Sequence, residues 1–164
     1  MAEVIVRLMT VEDVPAIDLV EAGSFAIPWS HDSFVKEVTE NKCARYLVLC
    51  EDGTPVAYAG VWFVLDEGHI TNIAVRPDKR GKGYGRKIVN ALIQLSADSG
   101  MSFLELECRR SNIVAQNLYH SVGFIDVGYR KRYYADNNED ALVMVLTQMP
   151  EANPDNDPHL VIEE

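Results

Sequence analysis

Asn72-Ile73-Ala74-Val75-Arg76-Pro77-Asp78-Lys79-Arg80-Gly81-Lys82-Gly83-Tyr84-Gly85-Arg86-Lys87 is the stretch that decides the fold of this chain. An apolar run ends at Val75. A basic, glycine-rich segment follows, and Ile88, Val89, Ala91, Leu92 and Leu95 then recur at helical spacing to about Ser99, with Gly100 as the closing C′ residue. The pattern is strand, glycine loop, helix. Glycines let a backbone approach an anion closely, and the free N–H groups of a first helical turn point at it, aided by the helix dipole. A pyrophosphate suits that chemistry. Arg76, Lys79, Arg80, Lys82, Arg86 and Lys87 against the single acid Asp78 leave +5 within twelve residues. A solvated basic turn at a helix entrance is the plain alternative. The loop is not a Walker A loop, because Gly85 is followed by Arg86-Lys87. It is not a dinucleotide fingerprint, because G-x-G-x-x-G is absent and the strand before it belongs to an antiparallel meander.

Working outward, residues 3–8 alternate as a strand. Thr10, with Asp13 three residues on and Pro15 in the first turns, opens a helix expected to reach Ala22 and stop at Gly23. Ser30 caps a second short helix to about Glu40, with Phe34, Val35 and Val38 inward. Residues 45–50 and 56–65 form a hairpin about Glu51-Asp52-Gly53-Thr54-Pro55, and His69 to Val75 completes the meander. After the glycine loop and its helix come a strand at 102–108, a helix from Asn112 to about Ser121 capped by Ser111, and strands at 124–132 and 141–147. The order β α α β β β α β α β β predicts an α+β fold. Its mixed, mostly antiparallel sheet carries helices on both faces, and one β-α-β unit makes parallel neighbours of the strands flanking the loop helix. Residues 1–149 are read as one domain and residues 150–164 as an acidic tail with five acids, three prolines and no Lys or Arg.

The 164 residues suit a single core, and a domain of this size buries roughly 70% of its unfolded surface. A net charge of −10 disfavours nucleic acid and membrane surfaces as partners. No apolar run approaches the ~18 residues of a membrane helix, and the opening residues lack a secretory pattern, so a cytoplasmic location is expected. Cys43, Cys50 and Cys108 lack CxxC spacing and read as half-buried reduced thiols. The four histidines are scattered, so no metal site is expected.

Arg80-x-x-Gly83-x-Gly85, between the strand Asn72-Ile73-Ala74-Val75 and a helix, resembles the acetyl-CoA signature of the GCN5-related N-acetyltransferase (GNAT) superfamily. The element order matches that fold over about residues 3–148. Pro28-Trp29-Ser30, Leu106-Glu107-Cys108-Arg109, Ser111-Asn112, Asn117-Leu118-Tyr119, Gly123-Phe124, Arg132-Tyr133-Tyr134 and Asn138-Glu139-Asp140-Ala141 narrow the likeness. Together they resemble the bacterial ribosomal-protein-alanine N-acetyltransferases, which modify the N-terminal alanine of a small-subunit ribosomal protein. The resemblance implies acetyl-CoA as co-substrate and a ribosomal-protein N-terminal peptide as partner. It implies that Ile73, Ala74 and Val75 lend backbone groups to the pantetheine and the acetyl carbonyl. It places Gly81, Lys82, Gly83, Tyr84, Gly85 and Arg86 around the pyrophosphate and Asn112 against the cofactor. It makes Glu107 the general base and Tyr119 the general acid.

The residues speak to part of this directly. Phe103, Glu105 and Glu107 share one strand face, opposite Leu104, Leu106 and Cys108. Glu107 sits at the strand's C-terminal end and Glu105 two residues deeper, so Glu105 ranks second. Asn112 and Tyr119, seven apart, lie on one helix face. An α-amino group with a pKa of about 8 is about one-tenth free base at pH 7, so a single carboxylate suffices for an N-terminal substrate. Proton transfer from an ordinary Tyr to a departing thiolate is uphill by roughly 2 kcal/mol. Tyr119 must therefore be acidified or act as a hydrogen-bond donor. Cys108 lies on the face opposite Glu107, against a role as acyl carrier. Phe25, Pro28, Trp29 and Ser30 on one side, and Arg132, Tyr133 and Tyr134 on the other, frame a groove for an extended peptide. Ala135-Asp136 departs from the subfamily, which often has Pro after the tyrosine pair. The open alternatives are a small-amine acetyltransferase, a non-catalytic acetyl-CoA-binding module and a generic nucleotide-binding protein.

Overall fold

The computed structural model describes residues 2–25, 28–153 and 162–163. Strand β1 (Val4–Leu8) leads to helices α1 (Val14–Ser24) and α2 (His31–Thr39). The meander β2 (Ala44–Glu51), β3 (Thr54–Val64) and β4 (Glu67–Val75) follows, then helix α3 (Tyr84–Asp98). The chain continues through β5 (Phe103–Arg109), α4 (Ile113–Ser121), β6 (Ile125–Arg130) and β7 (Ala141–Leu146), and ends with the two-residue β8 (Ile162–Glu163). The eight strands among the described residues form one sheet in the order β6-β7-β5-β4-β3-β2-β1-β8. Among the described residues, β4–β5 is the one parallel pairing, as the intervening helix requires.

Alternation along the strands builds two apolar layers. On β2, Leu47 and Leu49 face α3 and join Ile88, Leu92, Leu104, Leu106 and Met144. Tyr46, Val48 and Cys50 face the other way, toward Ile17 and Val20 of α1 and Phe34 of α2. Phe34 is fully buried and meets the Tyr58 ring edge-on at 5.4 Å. Complete burial of such a side chain contributes about 1.5–3 kcal/mol.

Local chemistry sets the element ends. A 3-10 turn (Val11–Asp13) introduces α1. There Asp13 accepts the Thr10 N–H at 2.8 Å and both Arg7 Nη atoms at 2.7 Å. The β2–β3 hairpin turns on Asp52 and Gly53, whose φ angles of 50° and 85° suit a tight hairpin. Helix α1 does not stop at Gly23 but runs through it to Ser24. A Cβ on Gly23 would lie 3.0 Å from the Pro77 ring, so close packing, not termination, explains this glycine. Asn112, not Ser111, caps α4: its side chain accepts the Ala115 N–H at 3.1 Å. Cys43 is exposed, whereas Cys50 and Cys108 are buried. None of the described helices is long and apolar enough to cross a membrane. Beyond β7, Gln94 Nε2 donates to the Glu151 carbonyl at 3.1 Å, and β8 pairs antiparallel with β1. Residues 154–161 and 164 of the acidic tail lie outside the described residues.

Candidate active site

The site forms where β4 and β5 part. They pair only over Glu67–His69 against Phe103–Glu105. Beyond that point, among the described residues, no strand pairs with the β5-facing edge of β4. On its other edge β4 carries one extra residue: Gly60 faces Asn72 and Val61 faces Ile70, leaving Thr71 unpaired. A cavity of about 590 Å³ opens at the divergence. Its wall includes Ile73 from β4, Glu107 from β5, and Asn112 and Tyr119 from the α4 segment. These four residues, separate in sequence, are therefore brought together. Ala74, Val75 and the loop 81–86 lie outside that wall, further along β4 and at the start of α3.

The loop has the geometry its glycines permit. Gly81 and Gly83 adopt φ of 79° and 82°, with open space where a Cβ would stand. Gly83 caps α3, and the first intrahelical bond closes from Lys87 N–H to Gly83 C=O at 3.1 Å. The N–H groups of Tyr84, Gly85 and Arg86 precede that bond and have no partner within the helix. The loop's basic side chains are less available than their number suggests. Arg80 donates to the Val75 carbonyl at 3.0 Å and to Ser24 Oγ at 3.2 Å. Glu51, the last residue of β2, receives Lys79 Nζ at 2.6 Å, Lys82 Nζ at 3.4 Å and the Tyr84 hydroxyl. Lys79 first, then Tyr84, holds the Glu51 carboxyl down at about 2. The backbone donors, more than free cations, fit this loop to a diphosphate.

Glu107 is nearly buried, with its side chain 9% exposed. His69 Nε2 lies 2.6 Å from Oε2, and Arg130 Nε donates to Oε1 at 3.2 Å. Burial opposes ionisation, but His69 and then Arg130 outweigh it and hold the carboxyl below its ordinary value. Arg130 Nη2 also reaches Glu105 at 3.3 Å. Tyr119 packs on Phe124 with ring centroids 5.8 Å apart. Burial pushes its hydroxyl up, away from acidification. Cys108 sits on the buried face of β5, and burial raises its thiol to about 11.

One side of the cavity is aromatic. Phe25, Trp29, Trp62, Tyr133 and Tyr134 line it. Pro28 and Arg132 do not reach its wall, Ser30 caps α2, and Ala26-Ile27 lie outside the described residues. The Trp29 N–H donates to Glu21 at 2.7 Å, and the Tyr58 hydroxyl donates to the same buried carboxylate at 2.5 Å. Sequence reasoning missed His69, Arg130, Glu21 and the clamp of Arg109 on Tyr134 and Asp136, because each has at least one partner 23 or more residues away.

The model of the acetyltransferase (GNAT) family matches residues 14–124. This chain belongs to the GNAT family. A ribosomal protein bS18-alanine N-acetyltransferase of Escherichia coli K12 is 39% identical over 138 residues, covering 82% of this chain and 90% of that protein. A Bacillus subtilis strain 168 protein, provisionally named for the same activity, is 44% identical over 142 residues, covering 87% and 94%. The crystal structure of the E. coli ribosomal-protein-S18-alanine N-acetyltransferase superposes with a TM-score of 0.82 and 33% identity, covering 94% of this chain and 99% of that one. A structure of the NatC complex bound to Gag peptide and CoA shares the GNAT fold at a TM-score of 0.76 and 21% identity, over 90% and 99% of the two chains.

Proposed function

We propose that this GNAT protein transfers the acetyl group of acetyl-CoA to the N-terminal alanine of ribosomal protein bS18, in the cytoplasm. The observation that carries this reading is the placement of Glu107 and Tyr119 on one cavity between the parted strands, with a glycine loop beyond it. The names of the E. coli and B. subtilis relatives supply the acceptor.

When bound, acetyl-CoA supplies a thioester carbonyl that an uncharged amine can attack. Gly81, Lys82, Gly83, Tyr84, Gly85 and Arg86 hold its diphosphate through backbone N–H groups. Backbone groups of β4 at Ile73, Ala74 and Val75 would hold the pantetheine arm, and Asn112 would lie against the cofactor. Glu107 anchors the proton-accepting end of the site. Tyr119, kept neutral by burial, donates a hydrogen bond to the departing sulfur. Phe25, Trp29, Tyr133 and Tyr134 grip an extended peptide whose amine enters between them.

The test is release of free CoA with two synthetic peptides carrying the bS18 N-terminal sequence, one with a free and one with a blocked N-terminus. Release with the free peptide alone supports α-amino acetylation. Equal release with both moves the target to a side chain. Silence on both, with acetyl-CoA still bound, leaves a small amine or a binding module.

A further inference from the structure

His69 and Glu107 form a pair whose chemistry the assignment of Glu107 alone does not use. The parallel register sets His69 opposite Glu105, and Glu107 follows two residues later on the same face. Both Glu107 oxygens are engaged, Oε2 with His69 Nε2 and Oε1 with Arg130 Nε. A carboxylate held in this way is a weak base for an amine.

The imidazole is better matched to the task. Its side chain is 39% exposed and lines the same cavity. Glu107 and Glu105 face it from β5, and Arg130 faces it from β6. Tyr133 borders the cavity in the loop beyond. On β3 its register partner is Trp62, behind which Glu37 of α2 accepts the indole N–H at 2.8 Å. The hydrogen bond to Glu107 raises the imidazole pKa; burial and Arg130 oppose this without cancelling it. With Glu107 ionised, Nε2 carries the hydrogen of that bond, and the neutral ring presents Nδ1 as an acceptor. Among the described residues, Nδ1 has no protein partner.

We propose that His69 Nδ1 receives the proton of the acceptor amine, while Glu107 fixes the tautomer and stabilises the imidazolium. This rests on the acetyl-transfer reading of the same cavity. As the C–N bond forms and the C–S bond breaks, one amine proton passes to Nδ1 and Tyr119 O–H supports the departing sulfur. The imidazolium then loses its proton to water at the cavity mouth. Glu107 stays ionised throughout and is a positioning residue.

The experiment compares wild type with His69→Gln, His69→Asn and Glu107→Gln in two readouts. The first is kcat/KM from pH 5.5 to 9 with a free α-amine peptide. In wild type both amine and imidazole must be unprotonated, so log kcat/KM rises with a slope of about two on the acid side. Both His69 variants lower the rate about 100-fold at neutral pH and reduce that slope to about one. The second readout is an NMR titration of the His69 ring in ligand-free protein. The ring titrates above an ordinary histidine in wild type and moves down toward it in Glu107→Gln. A slope of two retained in the His69 variants, turnover within about twofold of wild type, or a titration unmoved by Glu107→Gln would each overturn the proposal. Absence of wild-type turnover on any amine strikes the acetyl-transfer reading, and the titration, which needs no substrate, then decides the pair.

Discussion

The Arg109 guanidinium carbon lies 4.0 Å from the centre of the Tyr134 ring, while Nη2 reaches both Asp136 oxygens at 2.9 Å. One side chain at the end of β5 therefore fastens the loop that supplies Tyr133 and Tyr134 to the cavity. Nη1 adds Asn137 at 3.2 Å and Glu139 at 3.4 Å. Asp136, in the Ala135-Asp136 pair that follows the two tyrosines, is the main anchor.

Lysine keeps the charge at position 109 but loses the planar fork and the stacking face. Arg109→Lys is expected to raise the peptide KM about tenfold, equivalent to about 1.4 kcal/mol, with acetyl-CoA affinity changed less than about twofold. Steady-state kinetics beside calorimetric titration of the cofactor separates the two. An equal loss on both sides would mean that the clamp supports the whole fold.

Tyr119→Phe removes a hydroxyl and keeps the ring on Phe124. Turnover should fall by about 10²-fold while cofactor affinity and melting temperature stay close to wild type. Unchanged turnover removes Tyr119 from the chemistry.

Gly83→Ala forces a side chain into a left-handed conformation at the cap of α3, although space for the methyl is open. The strain is about 1–2 kcal/mol. The expected result is a modest loss of thermal stability and a larger loss of acetyl-CoA affinity, because the first-turn N–H groups tilt. Thermal denaturation with and without the cofactor measures both.

Asp13→Asn breaks a nearly buried, bidentate pair with Arg7. A loss of about 2–3 kcal/mol is expected, a melting shift of roughly 5–10 °C. Burial works against ionisation of Asp13, but Arg7 and the Thr10 N–H outweigh it and lower the carboxyl pKa. The pair's contribution is thus present above the unfolded carboxylate value and is lost as pH falls through the lower folded one. The gap between wild type and variant should narrow as the melts are carried into acid.

The element order and the β4–β5 parallel pair were legible because periodicity changes sharply at Val75 and again near Ser99. Strand alternation was enough to put Glu107 and Cys108 on opposite faces. The cap of α4 was not legible, since Ser111 and Asn112 are both good caps. The choice falls to Asn112 because Glu139 draws the Ser111 N–H to itself at 2.6 Å. His69 carried no spacing signal at all. Its partner is 38 residues away, and only the register of two parallel strands brings them together. The basic island read correctly as a count but not as free charge, because Glu51 approaches from another strand to take up two of its lysines.

The two apolar layers on either side of the sheet have an evolutionary consequence. One layer seats α3 and α4, which carry the loop and Tyr119; the other seats α1 and α2, which frame Trp29. Changes in separated, non-contacting sites add nearly independently. A descendant of this chain can therefore repack the layer beneath α1 and α2 without repacking the layer beneath α3, so long as Gly23 and Ser24 keep their contacts with Pro77 and Arg80. The sheet acts as a partition between what such a lineage must keep and what it is free to vary.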